Sequence, residues 1–240
     1  MRRPIQLLLI AAVISAFGYA SLLTSATLQE PSKSTKPEGS TKAHTEHSKL
    51  YKQYSGQGDL RVLVAKTQRD VEVVNGMPQQ VFRSDAAPVQ LGDFLRKLTD
   101  KSDAVVIGVV KDSASFLTSE GTFVFTDYGF TVEQILKNNP TNQLRPLDNV
   151  CITRPGGSVQ LKGHRILALD EALAPLLVGD RYLLFLDYVP ATGAYKAFNS
   201  QGSFHIQGSK AAKLTTEQLR NDLDGADIDV LAAFIRSALL

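Results

Sequence analysis

The sequence predicts a mainly β domain with flanking helices, built as a small closed β-barrel followed by carboxy-terminal helices. Three observations predict it. At least five strand-length apolar runs follow one another between residues 101 and 208. They are uneven in length and interrupted by glycine, as strands of a bent, closing sheet are. Helical spacing of apolar residues appears only before and after this block.

The chain of 240 residues opens with Arg2 and Arg3, and an apolar run, Leu7-Leu8-Leu9-Ile10-Ala11-Ala12-Val13-Ile14, extends to Phe17. Small residues recur from there to Ala26. A basic head, an apolar helix and small residues at the exit form the layout of a secretory signal. Gly18 and Ala20 stand three and one positions before a cut between Ala20 and Ser21, and Thr24-Ser25-Ala26 offers a second. The alternative is an uncleaved anchor, since weakly apolar character persists to Leu28 and about 20 such residues span a bilayer. Residues 1–26 are therefore expected to be a signal peptide or signal anchor. Either outcome puts the rest in the periplasm or outside the cell, with membrane attachment only through this segment.

Charge and cysteine content narrow the function classes. The net charge is +2, and removing Arg2 and Arg3 leaves 24 basic against 24 acidic residues. Nothing overall draws such a chain to nucleic acid or anionic membranes. The single cysteine, Cys151, precludes an internal disulfide, so an exported domain must rely on its core. Flanked by Val150 and Ile152, Cys151 reads as a buried, inert thiol.

Residues 27–59 read as a disordered polar linker, because 31–40 lack any large apolar residue to offset ordering entropy. Residues 60–100 are expected to hold a strand at Arg61-Val62-Leu63-Val64, a hairpin and a short helix. Val71 to Val74 and Gln80-Val81-Phe82 flank Asn75-Gly76, a pair suited to a tight turn. Leu91, Phe94, Leu95 and Leu98 then follow helical spacing.

In the block 101–208, Ala104 to Val110 is apolar on both faces, as a covered central strand would be. Gly108 within it predicts a bend or close backbone approach. The run 122–136 places Val124, Tyr128, Phe130 and Val132 on one face. Phe123 and Phe125 break that alternation, which predicts a bulge near Asp127-Tyr128-Gly129. Val150 to Thr153 and Val159 to Leu161 flank Arg154-Pro155-Gly156-Gly157, a turn composition. Tyr182 to Leu186, Ala194 to Phe198 and Phe204 to Ile206 complete the strands. Residues 209–240 are expected to be helical: one short helix over 216–223, then a second capped by Asp227 and carrying Ile228, Leu231, Phe234, Ile235 and Leu239 on one face.

Three stretches carry a family resemblance: Ser102-Asp103-Ala104-Val105-Val106-Ile107-Gly108-Val109-Val110, Tyr128-Gly129-Phe130-Thr131-Val132-Glu133-Gln134-Ile135-Leu136-Lys137, and Val178-Gly179-Asp180-Arg181-Tyr182-Leu183-Leu184-Phe185-Leu186. Residues 103–207 resemble exported bacterial domains with an oligonucleotide/oligosaccharide-binding-type (OB) barrel, similar to the netrin and tissue-metalloprotease-inhibitor group. The resemblance implies that barrel and, for inhibitor members, regulation of a metalloprotease through an amino-terminal cysteine held by disulfides. Neither that cysteine nor the disulfides have a counterpart here.

The chemistry-bearing constellations are sparse. His44-Thr45-Glu46-His47 has metal-chelating spacing if helical, but in a linker with no second ligand pair it predicts no metal site. The acidic run 221–229 lacks the glycine position and distal glutamate of a calcium loop and reads as a helix-to-helix turn. No Gly-x-Ser-x-Gly elbow or phosphate-cradling loop occurs, and Ser158 and Ser203 read as turn residues. Cys151 with His164 would be a thiol pair across a hairpin, and His205 is placed on a solvated strand face. Arg154, Lys162, His164 and Arg165 would line one rim if strands 150–154 and 159–168 pair. They are the candidate site for an anionic or acidic ligand; their plainer reading is solvated hairpin charge.

The function expected is an exported, non-catalytic binding module needing no metal or cofactor, with a protein or small ligand as partner. The alternatives are a regulator or inhibitor of a secreted metalloprotease, a hydrolase using Cys151 or the Ser and His residues, and a structural envelope component.

Overall fold

The computed structural model describes residues 40–54, 58–75, 91–197, 202–213 and 225–239. Strands dominate and a helix ends the chain. The cleavage positions Ala20 and Ser21 lie outside the described residues, as do Gln80-Val81-Phe82 and the short helix expected over 216–223. Among the described residues no helix is long and apolar enough to cross a membrane.

The chain enters through α1 (Ser40–Leu50), a single turn at Lys52–Tyr54 and α2 (Leu60–Thr67). Both helices overturn expectations, since 40–54 was read as disordered linker and Arg61 to Val64 as a strand. Helix α2 forms because Asp59 caps it, its carboxylate accepting from Arg61 N, and because Leu60 and Val64 fall one turn apart and are buried. Val62 points to solvent, so the β-branched run never alternates.

Strand β1 (Val71–Asn75) forms as expected but makes no hairpin with its sequence neighbours among the described residues. It pairs in parallel with β6 (His164–Asp170), Val71 against Ile166. Helix α3 (Leu91–Lys101) follows as predicted. Next come β2 (Ala104–Leu117), β3 (Val124–Lys137), β4 (Asn149–Pro155) and β5 (Gly157–Leu161). After β6 run β7 (Arg181–Val189), β8 (Ala194–Ala197), β9 (Ser203–Gln207), β10 (Lys210–Lys213), β11 (Ala226–Asp227) and α4 (Ile228–Ser237). The strands β10 and β11 stand where only helices were expected.

One sheet has three strands, in the order β1-β6-β5. The other has eight, in the order β11-β10-β9-β7-β2-β3-β4-β8, and β8 also pairs with β7. Neighbours are antiparallel except β4 and β8, which run parallel. The pairings thus lead from β7 through β2, β3, β4 and β8 back to β7.

The first half of β2, Ala104 to Val110, and most of β7 are buried on both faces, which explains their unbroken apolar runs. Val105, Ile107, Leu183 and Phe185 pack outward against Leu95 and Leu98 of α3 and Leu231 and Ile235 of α4. Ala104, Val106, Tyr182, Leu184 and Leu186 pack inward with Phe130, Val132, Ile152 and Tyr195. A third cluster joins α2, β1 and β6 around Phe123 and Val124. At Gly108 a Cβ would run into the Thr131 carbonyl and the Phe130 ring, and the β2–β3 register shifts there, as the sequence predicted.

Two strand-level expectations change. The irregularity near Gly129 lies across the ladder, where Lys111 of β2 is the extra residue between the pairs Val110–Phe130 and Asp112–Gly129. Phe123 and Phe125 break the alternation because the face they point to is covered by Tyr54 and Tyr51. Residues 154–157 are likewise no hairpin turn. They carry the chain from β4, in the large sheet, to β5, in the small one, with Gly156 at φ +89° and Gly157 at φ +133°. The actual hairpin joins β5 to β6 through Lys162 (φ +52°) and Gly163 (φ +85°), the positive angles a two-residue turn requires.

Candidate functional site

The four residues expected to share a rim are divided by the fold. Lys162, His164 and Arg165 do lie together on the β5–β6 hairpin. His164 Nδ1 is 3.9 Å from Asp70, and Arg165 Nε donates to Ser158 Oγ at 2.9 Å. Arg154 does not join them, because β4 pairs with β3 and β8 rather than with β5. Two residues beyond Ile152 on the same strand, Arg154 shares that residue's inward face and is only 1 % exposed. Its Nη1 lies 3.5 Å from Ser203 Oγ, while Nε and Nη2 have no hydrogen-bond partner among the described residues. Burial pulls its pKa down, yet a guanidinium keeps its charge in proteins. An interior cation without a carboxylate on it costs several kcal/mol.

Among the described residues, several polar groups converge on the outer face of β3 and β4. The register sets Asp127 opposite Thr153 and Gly129 opposite Cys151, and period-two alternation brings all four to one side. Asp112 reaches the same side from β2, its carboxylate accepting from Gly129 N at 3.2 Å.

Helix α1 lies over this face. His44, His47, Ser48 and Tyr51 recur at helical spacing and form the stripe that turns toward the sheet. Tyr51 stacks on Phe125 at 5.6 Å and donates to Thr153 Oγ1 at 3.2 Å. The His44 ring sits 3.7 Å from that of Phe116. Ser48 Oγ accepts from Ser119 N at 2.7 Å, tying α1 to the loop between β2 and β3. His47, 2 % exposed, reaches two elements at once. Its Nδ1 is 3.0 Å from both Asp127 oxygens, and its Nε2 is 2.9 Å from Thr192 Oγ1 in the turn between β7 and β8.

His44 and His47 dock on different strands, His44 against Phe116 of β2 and His47 against Asp127 of β3. Instead His47, Asp127 and Cys151 converge, with one donor atom from each lying within 4.8 Å of the others. Cys151 thus neighbours His47, while His164, its expected partner, faces Asp70. Burial, reinforced by the Asp127 and Asp112 carboxylates, pushes the Cys151 thiol up to about 12. A thiol so placed stays protonated at neutral pH and is a poor nucleophile.

The remaining candidates are structural. His205 Nε2 lies 3.0 Å from Asp180, with its ring against Tyr182, so it is a paired group rather than a solvated one. Asp227 caps α4 by accepting from Asp229 N, as its position in the acidic run predicted. Sequence reasoning weighed His47 only as a partner of His44 and passed over Asp127 and Thr192 as site residues. The available signal was the helical spacing of His44, His47, Ser48 and Tyr51, a stripe without aliphatic residues. No protein-family model matches this chain, and no curated protein does.

Proposed function

We propose that this protein is an exported, non-catalytic binding module carried on a small closed barrel of the OB type, related to the netrin and tissue-metalloprotease-inhibitor-like group. The pairing of β7, β2, β3, β4 and β8 back onto β7, with β4 and β8 parallel, supports that reading of the sheet. The three stretches carrying the resemblance fall mainly on β2, β3 and β7, which are members of this ring.

The observation that carries the function is the position of α1. Barrels of this type take ligands on the face of their second and third strands, flanked by the loops joining strands one to two and four to five. Here those are β3, β4, the loop at 118–123 and the turn at 190–193. α1 and the Tyr51 that follows it touch all four, through Asp127, Thr153, Ser119 and Thr192. The binding face is thus held by the chain's own amino-terminal segment, and a protein or small ligand engages it by lifting α1. The protonated Cys151 thiol favours binding over catalysis. Near-neutral charge favours a partner other than nucleic acid.

Affinity capture from an envelope fraction, with the full chain as bait, tests this. One stoichiometric partner is expected, lost on Asp112→Lys or Glu120→Lys at the exposed edges of the face and kept on Phe234→Ser in α4. Capture indifferent to both edge substitutions would falsify the assignment of the face.

A further inference from the structure

We propose that His47, Asp127 and Cys151 bind one zinc-class divalent ion that clasps α1 to the β3–β4 face. This site is independent of which partner the face serves.

The argument starts from what lies between His47 and Asp127. Thr192 Oγ1 accepts from Ala194 N at 3.3 Å and has Val189 O at 3.5 Å for its own hydrogen. His47 Nε2 lies 2.9 Å from Thr192 Oγ1 and Nδ1 faces the Asp127 carboxylate, so Nδ1 is the ring nitrogen turned toward Cys151 and the candidate donor to an ion. Nδ1 stands 3.0 Å from both carboxylate oxygens, close enough for a proton or a metal ion to be held between them. A proton on Nδ1 satisfies that pair alone; a metal ion also uses the thiol of Cys151 beside it. With an ion on Nδ1, Nε2 carries the ring hydrogen, and its 2.9 Å contact with Thr192 Oγ1 is the outer hydrogen bond that orients a ligating imidazole.

The donor set fits the class of ion. One imidazole nitrogen, one carboxylate oxygen and one thiolate suit a borderline-soft, tetrahedral ion, with water in the fourth position. Metal–donor bonds of about 2.0–2.3 Å place such donors roughly 3.3–3.6 Å apart. Atoms already within 4.8 Å need draw in by little more than an ångström. On binding, Cys151 releases its proton to solvent, and thiolate plus carboxylate neutralise a doubly charged ion. That neutrality suits a site where His47 is 2 % and Asp127 14 % exposed. The three ligands come from α1, β3 and β4, so an ion here crosslinks the amino-terminal helix to the sheet.

The test is titration of the chelator-treated full chain with cobalt(II), then zinc(II). One equivalent of cobalt should bind, giving a thiolate-to-cobalt charge-transfer band that zinc abolishes. Cys151→Ser should remove the band. Thr192→Val should keep it while weakening affinity about 10- to 100-fold, as loss of an outer-shell partner does. Amide exchange across α1 should slow when zinc is added. Absence of the band in the wild-type chain, which needs no variant to fold, overturns the proposal; a proton alone then fills the gap. Tight single-site binding that survives Cys151→Ser but is lost in His44→Ala overturns it too, by assigning the metal to the histidine pair.

Discussion

Two helical coverings of the same large sheet are built from opposite materials. α4, with α3 beside it, closes one side with Leu95, Leu98, Leu231 and Ile235, all buried and aliphatic. α1 closes another with His47, Ser48 and Tyr51, each reaching a hydrogen-bond partner on the sheet or its loops. Aliphatic packing gains from removal of surface from water and is indifferent to which polar groups lie nearby. The polar covering gains little net energy per bond, because each replaces a bond to water. Without an ion at His47, Asp127 and Cys151, a helix held in the second way leaves more readily, as a cover over a binding face should.

Breaking the aliphatic side gives the largest expected effect. Leu231→Ala should cost about 2–5 kcal/mol of global stability, read as a lower urea midpoint at unchanged slope. Beneath the strand that α1 covers, Arg154 tests the opposite sign. Arg154→Met removes an interior charge with two unpartnered nitrogens and should leave the protein equally stable, or more stable by about 1–4 kcal/mol in the same titration. A marked loss would mean that the guanidinium has an anionic partner in solution. The smallest effect belongs to Tyr51→Phe, which deletes the hydroxyl bonded to Thr153 while keeping the ring stacked on Phe125. It should cost about 0.5–1.5 kcal/mol and speed amide exchange in α1. If exchange in α4 accelerates equally, the two coverings unfold together and the contrast between them fails.

The legible parts of the fold were those where one physical pattern prevails. β2 and β7 read as central strands because both faces are buried, and α3 and α4 read as helices because their apolar stripes are aliphatic. Even there the reading was partial, since Phe234 and Leu239, assigned to the buried stripe, are 42 % and 45 % exposed. α1 was illegible because its buried stripe is made of residues that ordinarily mark a linker. The pairing of β1 with β6 was illegible for another reason. Parallel partners lie far apart in sequence, and no local turn signal announces them.

Of the site, the amino acids alone supplied Cys151 as a buried, inert thiol among apolar neighbours, where the structure leaves it partly exposed, and Arg154 as a candidate ligand-binding cation. Hydrophobic period and turn chemistry act over a few residues, so they determined where the central strands and the helices α3 and α4 run. Only the tertiary structure decided that Arg154 points inward, that Lys162, His164 and Arg165 stay behind on a separate hairpin, and that His47 meets Asp127 80 positions away. Such meetings depend on strand register and on which face a helix covers, and both are settled by the packing of the whole chain.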